Sequence, residues 1–120
     1  MAKIRKLEER DYDQVIKLLS QLTSNPINLE INNLINDAAS SSMVIEENGI
    51  LAGCATLVIY YLPTMGKVGK IEDVVVDEKF RGRGFGKILM EELIKLSKDN
   101  NLRKLQLTSS PRRKIARHLN

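Results

Sequence analysis

Residues 70–100, KIEDVVVDEKFRGRGFGKILMEELIKLSKDN, constrain the fold of this chain more than any other stretch. The β-branched run over 70–77 predicts a central strand. The stretch from about Gly84 predicts an amphipathic helix, with Ile88, Leu89, Leu93 and Leu96 recurring on one face. Between them lies RGRGFG, in which Arg81 and Arg83 alternate with Gly82, Gly84 and Gly86. Glycine is costly inside a helix but lets the backbone take left-handed angles or approach a ligand closely. A helix N-terminus offers unpaired amide donors and the positive end of the helix dipole. Glycines at such a site allow the backbone to close around a phosphate or pyrophosphate, and Lys87 adds a third positive charge at the mouth. A plain strand-to-helix connection is the alternative. Lys87 is followed by Ile88 rather than Ser or Thr, so this is not a Walker loop, and the glycine spacing is not that of a dinucleotide fingerprint.

The rest of the chain fits one α/β domain over 1–120. A chain of 120 residues can bury roughly two thirds of its unfolded surface in a single core. Residues 3–7 alternate as a short strand. A helix follows over ERDYDQVIKLLSQLT (9–23), with Asp11 as N-cap and Val15, Leu18, Leu19 and Leu22 at helical spacing. Ser24-Asn25-Pro26 breaks it, a second helix is expected across 28–39, and Ser40–Ser42 end that one. Two extended runs then meet at Glu47-Asn48-Gly49, a hairpin signal. A loop is expected over 63–69 and a further strand over 103–109. PRRKIARHLN (111–120) opens like a helix, with Ser109 or Ser110 as its cap and Pro111 in its first turn.

Composition narrows the function. The net charge of +4 favours anionic ligands without demanding nucleic acid, and 4% aromatic residues with no Trp give no stacking platform for bases. No apolar run approaches a membrane span and no cleavable signal stands at the N-terminus, so a soluble, cytoplasmic chain without membrane partners is expected. Cys54, the single cysteine, reads as a small core residue in a reducing compartment. No metal site is expected.

The spacing Arg81-x-x-Gly84-x-Gly86, after a valine strand and before a helix, resembles the acetyl-CoA signature of the GCN5-related N-acetyltransferases. The order strand, two helices, hairpin, central strand is similar too. The resemblance implies an α/β acyl-CoA N-acyltransferase fold, with a mixed, mostly antiparallel sheet flanked by helices. It further implies an enzyme that passes an acetyl group from acetyl-CoA to a primary amine of a small molecule or protein, by direct attack in a ternary complex. Backbone groups of Val74, Val75 and Val76 would pair with the pantetheine arm. Amides of Arg81, Gly82, Arg83, Gly84, Phe85 and Gly86, together with Lys87, would hold the pyrophosphate. An attacking amine must shed a proton at neutral pH. Glu72 is the first candidate base and Asp73 the second, one on each face of the strand if side chains alternate. A backbone amide near Val74 would meet the oxyanion. His118, the only histidine, falls in the expected terminal helix and reads as solvated.

The C-terminus departs from the family pattern. Asn120 stands where many relatives carry a tyrosine that protonates the leaving thiolate, and an amide cannot replace a phenol in that role. The glycine-aromatic turn and the last two strands of the family have no counterpart, so the strand over 103–108 is expected at an open edge that a partner, such as a second copy in a homodimer, could cover. A non-catalytic acyl-CoA-binding or dimerising module is therefore the second reading, and a nucleic-acid binder a distant third. Gln21-Leu22-Thr23, the run 55–59 and the segment 70–87 are similar to glucosamine 6-phosphate N-acetyltransferases, whereas the segment from Thr108 onward is not. Arg112, Arg113 and Lys114 read as a solvated basic run that could also meet an anionic acceptor.

Overall fold

The computed structural model describes residues 2–110 and 113–118, with side chains through Leu107. Strand β1 (Ala2–Lys6) leads through a 3-10 turn (Glu9–Asp11) into helix α1 (Tyr12–Leu19), and helix α2 (Ile31–Asn36) follows. Strands β2 (Ser40–Glu47), β3 (Ile50–Leu62) and β4 (Gly66–Val76) come next. A 3-10 turn (Glu78–Phe80), helix α3 (Phe85–Asp99) and strands β5 (Lys104–Ser110) and β6 (Arg113–His118) complete the chain. The strands form one sheet in chain order, β1-β2-β3-β4-β5-β6. Among the described strands only the β4–β5 pair is parallel, because α3 carries the chain back across the sheet between them. This is the mixed, mostly antiparallel sheet with flanking helices that the sequence predicts.

Alternation along the strands splits the core into two layers. Val44, Leu51, Cys54 and Val75 pack with Leu7, Val15, Leu18 and Ile31 beneath α1 and α2. Met43, Ile45, Ala52, Ala55, Leu57 and Ile71 face the other way, onto Phe85, Leu89 and Leu93 of α3. At the β2–β3 hairpin, Asn48 (φ 54°) and Gly49 (φ 80°) both sit in the left-handed region and Glu47 pairs with Ile50, giving the tight two-residue turn that Asn-Gly favours.

Four local expectations need correction. Asp11 does not cap α1 with its side chain. Its carboxylate accepts the Glu8 amide at 2.8 Å and two bonds from the Arg5 guanidinium at 2.8 and 2.9 Å, so a tertiary cation wins it from the helix. Helix α2 is shorter than 28–39. The Asp37 carboxylate accepts from the Ala39 amide and the Ser40 hydroxyl, an Asx-type turn that ends the helix and hands Ser40–Ser42 to β2. Strand β4 starts at Gly66 rather than 70, since Lys67, Val68 and Gly69 extend the ladder opposite Tyr61, Tyr60 and Ile59.

The fourth correction concerns the C-terminal segment. Arg113–His118 is a strand antiparallel to β5, with Leu107 opposite Ile115 and Lys104 opposite His118, and not a helix. Pairing with the next stretch of chain satisfies backbone groups that β5 would otherwise expose, which a short, weakly amphipathic helix could not do. Strand β5 is therefore not an open edge, and the covering partner inferred from that edge loses its reason. The sheet has a strand beyond the five expected. Pro111, Arg112 and Asn120, including the comparison of Asn120 with a tyrosine, lie outside the described residues.

Candidate active site

Strand β4 is regular on either side of one irregularity. Val76 pairs with Gly53 and Val75 with Cys54, but Glu72 pairs with Thr56, so Asp73 and Val74 together stand opposite Ala55. This is a β-bulge, with Asp73 held at φ 52°, a left-handed conformation that Asp tolerates better than most residues. The bulge overturns the expectation that Glu72 and Asp73 point to opposite faces. Glu72 shares the face of its partner Thr56. Asp73 lines the same α1/α2-side cavity as Thr56, while Val74 packs with the α3-side core. Two carboxylates thus lie side by side on one face. Burial first, and the neighbouring Glu72 charge second, push the Asp73 carboxyl above the usual carboxylate range.

Asp73 also opens onto a second hollow of about 250 Å³, bounded by Leu19, Leu22, Thr23 and the segment Pro26–Leu29. The link between α1 and α2 (20–30) forms most of this wall, and the sequence signalled it by the helix break at Ser24-Asn25-Pro26 and by the resemblance at Gln21-Leu22-Thr23. Cys54 sits behind the bulge with its Sγ 4.0 Å from the Asp73 carbonyl oxygen. Burial pushes its thiol up to about 12, which leaves it neutral and unsuited to nucleophilic work.

On the other side of β4 the sheet opens. The parallel ladder to β5 runs from Gly69–Leu105 to Ile71–Leu107, and Val74–Val76 lie beyond it, with Val75 and Val76 laddered to β3. A largely apolar cleft of about 370 Å³ lies between α3 and the start of this divergence, lined by Ile71, Leu105 and Leu107 from the sheet and by Lys87, Met90, Glu91 and Ile94 from α3.

The glycine loop joins the end of β4 to α3. Asp77 caps the 3-10 turn by accepting the Lys79 amide at 2.9 Å, and Gln21 of the α1–α2 link accepts the Glu78 amide at 3.1 Å. Gly82 (φ 83°) and Gly84 (φ 80°) take left-handed angles that side chains rarely adopt, and Gly84 forms the N-cap of α3. Among the described residues no side chain caps α3, so the amides of Phe85, Gly86 and Lys87 face the loop without intrahelical acceptors. The three expected cations divide their work. Lys87 lines the cleft, and Arg81 donates from Nε to the Val76 carbonyl at 3.3 Å. Arg83 turns away to Glu47, with two bonds of 2.7 Å, and its guanidinium lies over the Phe85 ring at 4.8 Å and the Phe80 ring at 5.7 Å. Glu47, at the far end of β2, has no signal in the sequence that would link it to this loop. His118 belongs to β6 and not to the site as described.

The arrangement combines an anion-accepting helix end, an opened sheet edge and a pair of acids beside a hollow. Comparison with known proteins gives it a family. Residues 1–119 match the model of the Acetyltransferase (GNAT) family. The chain is 35% identical over 116 residues to the glucosamine 6-phosphate N-acetyltransferase of Trypanosoma brucei brucei, covering 89% of this chain and 79% of that protein. The crystal structure of glucosamine-6-phosphate N-acetyltransferase from Arabidopsis thaliana superposes with a TM-score of 0.81 at 34% identity, over 92% of this chain and 84% of that one. A predicted acetyltransferase from Clostridium acetobutylicum, whose crystal structure includes acetyl-CoA, shares the fold at 20% identity with a TM-score of 0.75, over 92% of this chain and 82% of that one. The chain belongs to the GNAT family and is an N-acetyltransferase.

Proposed function

We propose that the chain transfers the acetyl group of acetyl-CoA to a primary amine by direct attack in a ternary complex. One observation carries this reading most: the bulge at Asp73–Val74 lies beyond the last β4–β5 pair and leads straight to the uncapped start of α3. A thioester arm laid along Val74–Val76 would add to the sheet as a strand does, while its pyrophosphate meets the amides of Phe85, Gly86 and Lys87 and the charge of Lys87. The glycines leave the loop backbone open to such a ligand, so the residues present fit the co-substrate.

The hollow beside Asp73 then receives the acceptor amine. Asp73 is the stronger base candidate of the two acids, because its raised proton affinity brings it nearer to that of an amine under attack. Glu72 contributes by keeping that affinity raised. The Val74 amide, within the bulge, would donate to the developing oxyanion. Glucosamine 6-phosphate is the first acceptor to try, since curated relatives of that name share about a third of their residues with this chain. A cytoplasmic setting suits both that substrate and a lone buried thiol.

The test is calorimetric titration with acetyl-CoA, followed by a free-thiol release assay over a panel of amines that includes glucosamine 6-phosphate. One site per chain and acceptor-dependent thiol release are expected. Binding without release for any amine would leave the co-substrate site standing and overturn the transfer reading.

A further inference from the structure

The Arg83–Glu47 contact has a geometry that simple phosphate binding does not require. Both terminal guanidinium nitrogens are committed to one carboxylate, the fork-to-fork arrangement that fixes orientation as well as distance. The guanidinium plane is held further by two aromatic rings, of which Phe85 is buried in the α3-side core. Glu47 is itself on rigid ground. It is the last residue of β2, paired to Ala2 on one side and Ile50 on the other. The turn that follows it is tied to α1, because Gln14 donates to the Gly49 carbonyl at 3.2 Å and accepts the Leu51 amide at 2.8 Å. Arg83 stands between two left-handed glycines with no side chains of their own, so its side chain supplies the tie between that stretch and β2.

We infer that Glu47 is a positioning residue for the phosphate loop: it draws Arg83 out of the anion path and pins the loop in its binding shape before the ligand arrives. This rests on the co-substrate site proposed above and adds a role for a residue 36 positions away in the chain. Arg83 acts as the loop's handle and not as a phosphate ligand. A loop already in its bound shape loses less conformational freedom on binding, so the clamp appears as affinity.

The experiment is a double-mutant cycle on the full chain, with calorimetric Kd for coenzyme A measured where every variant is folded, alongside melting curves. Glu47→Ala is expected to raise Kd about two- to five-fold, the range of an exposed bidentate pair. Arg83→Ala is expected to raise it by the same factor, and the double variant by no more than either single one. Glu47→Gln keeps the shape and one acceptor and should recover part of the loss. It also serves if Glu47→Ala does not fold. A merely structural contact would move the melting temperature and leave Kd of the folded protein unchanged, which would overturn the clamp. Tighter binding in Glu47→Ala, or losses that add in the double variant, would make Arg83 a direct phosphate ligand and overturn it equally. Failure of the unaltered chain to bind coenzyme A would strike the co-substrate site itself, a result distinct from normal binding with an indifferent Glu47.

Discussion

Asp73 holds the most informative side chain in the molecule, since one residue joins backbone strain, partial burial and a like-charged neighbour. Its carboxyl is raised, so the folded state favours the protonated form and is penalised as pH rises from the ordinary carboxylate range through the raised value. Asp73→Asn should therefore unfold at higher temperature than the parent at neutral pH, with the gain vanishing in acid. The same variant should lose turnover by about 100-fold or more if Asp73 is the base, at little cost to the Kd for acetyl-CoA. Glu72→Gln should slow turnover less and shift the acid limb of the rate profile downward, because the charge that helps to raise Asp73 is gone. A rate profile left unmoved by Glu72→Gln would remove that coupling. The presence of both acids is legible in the sequence, but their shared face is not. Alternation predicts opposite faces, and only the bulge, which depends on how β3 and β4 register, puts them together.

At the level of elements, α3 and the loop before it follow from local chemistry alone. Periodic leucines, two glycines at left-handed angles and the valine run all act within a few residues of one another. Gly84→Glu should abolish acetyl-CoA binding by setting a side chain and a negative charge at the helix N-cap. It should also cost about 1–2 kcal/mol of stability, because a residue with a Cβ is forced to φ 80°. Calorimetry and a denaturant titration separate the two effects, and unchanged affinity would refute the anion site. Helix α2 and strand β6 show where local rules fail. The apolar spacing of 28–39 suits a longer helix than the six residues formed, because Asp37 turns the chain toward the sheet. The serines and Pro111 favour a helix start in isolation, yet an unpaired β5 beside the segment rewards a strand.

Across the whole molecule, the Arg5 cluster fastens β1, the entry to α1 and β2 into one unit. Asp11, 2% exposed, is pushed up by burial but pulled further down by its Arg5 bonds and the Glu8 amide, so its carboxyl lies below the usual range. An acid lowered in this way adds stability above its unfolded pKa and loses it as pH falls through the carboxylate range toward the folded value. The parent chain should thus weaken steeply in acid. Asp11→Asn should be less stable at neutral pH by about 2 kcal/mol, since Arg5 loses its charge-assisted bonds to Asp11 and keeps Glu46 as its close carboxylate, and its stability should depend less on pH. Parallel pH curves for the two proteins would contradict that account. The family signature, the hairpin at Asn48-Gly49, the central valine strand and the helix after the loop are all legible in local spacing, because each is set by residues near one another in the chain. The bulge at Asp73, the pairing of β6 with β5 and the partner of Arg83 came from the assembled fold. Those outcomes depend on which distant strands meet, and in what register, and a contact across 36 residues leaves no trace in local spacing.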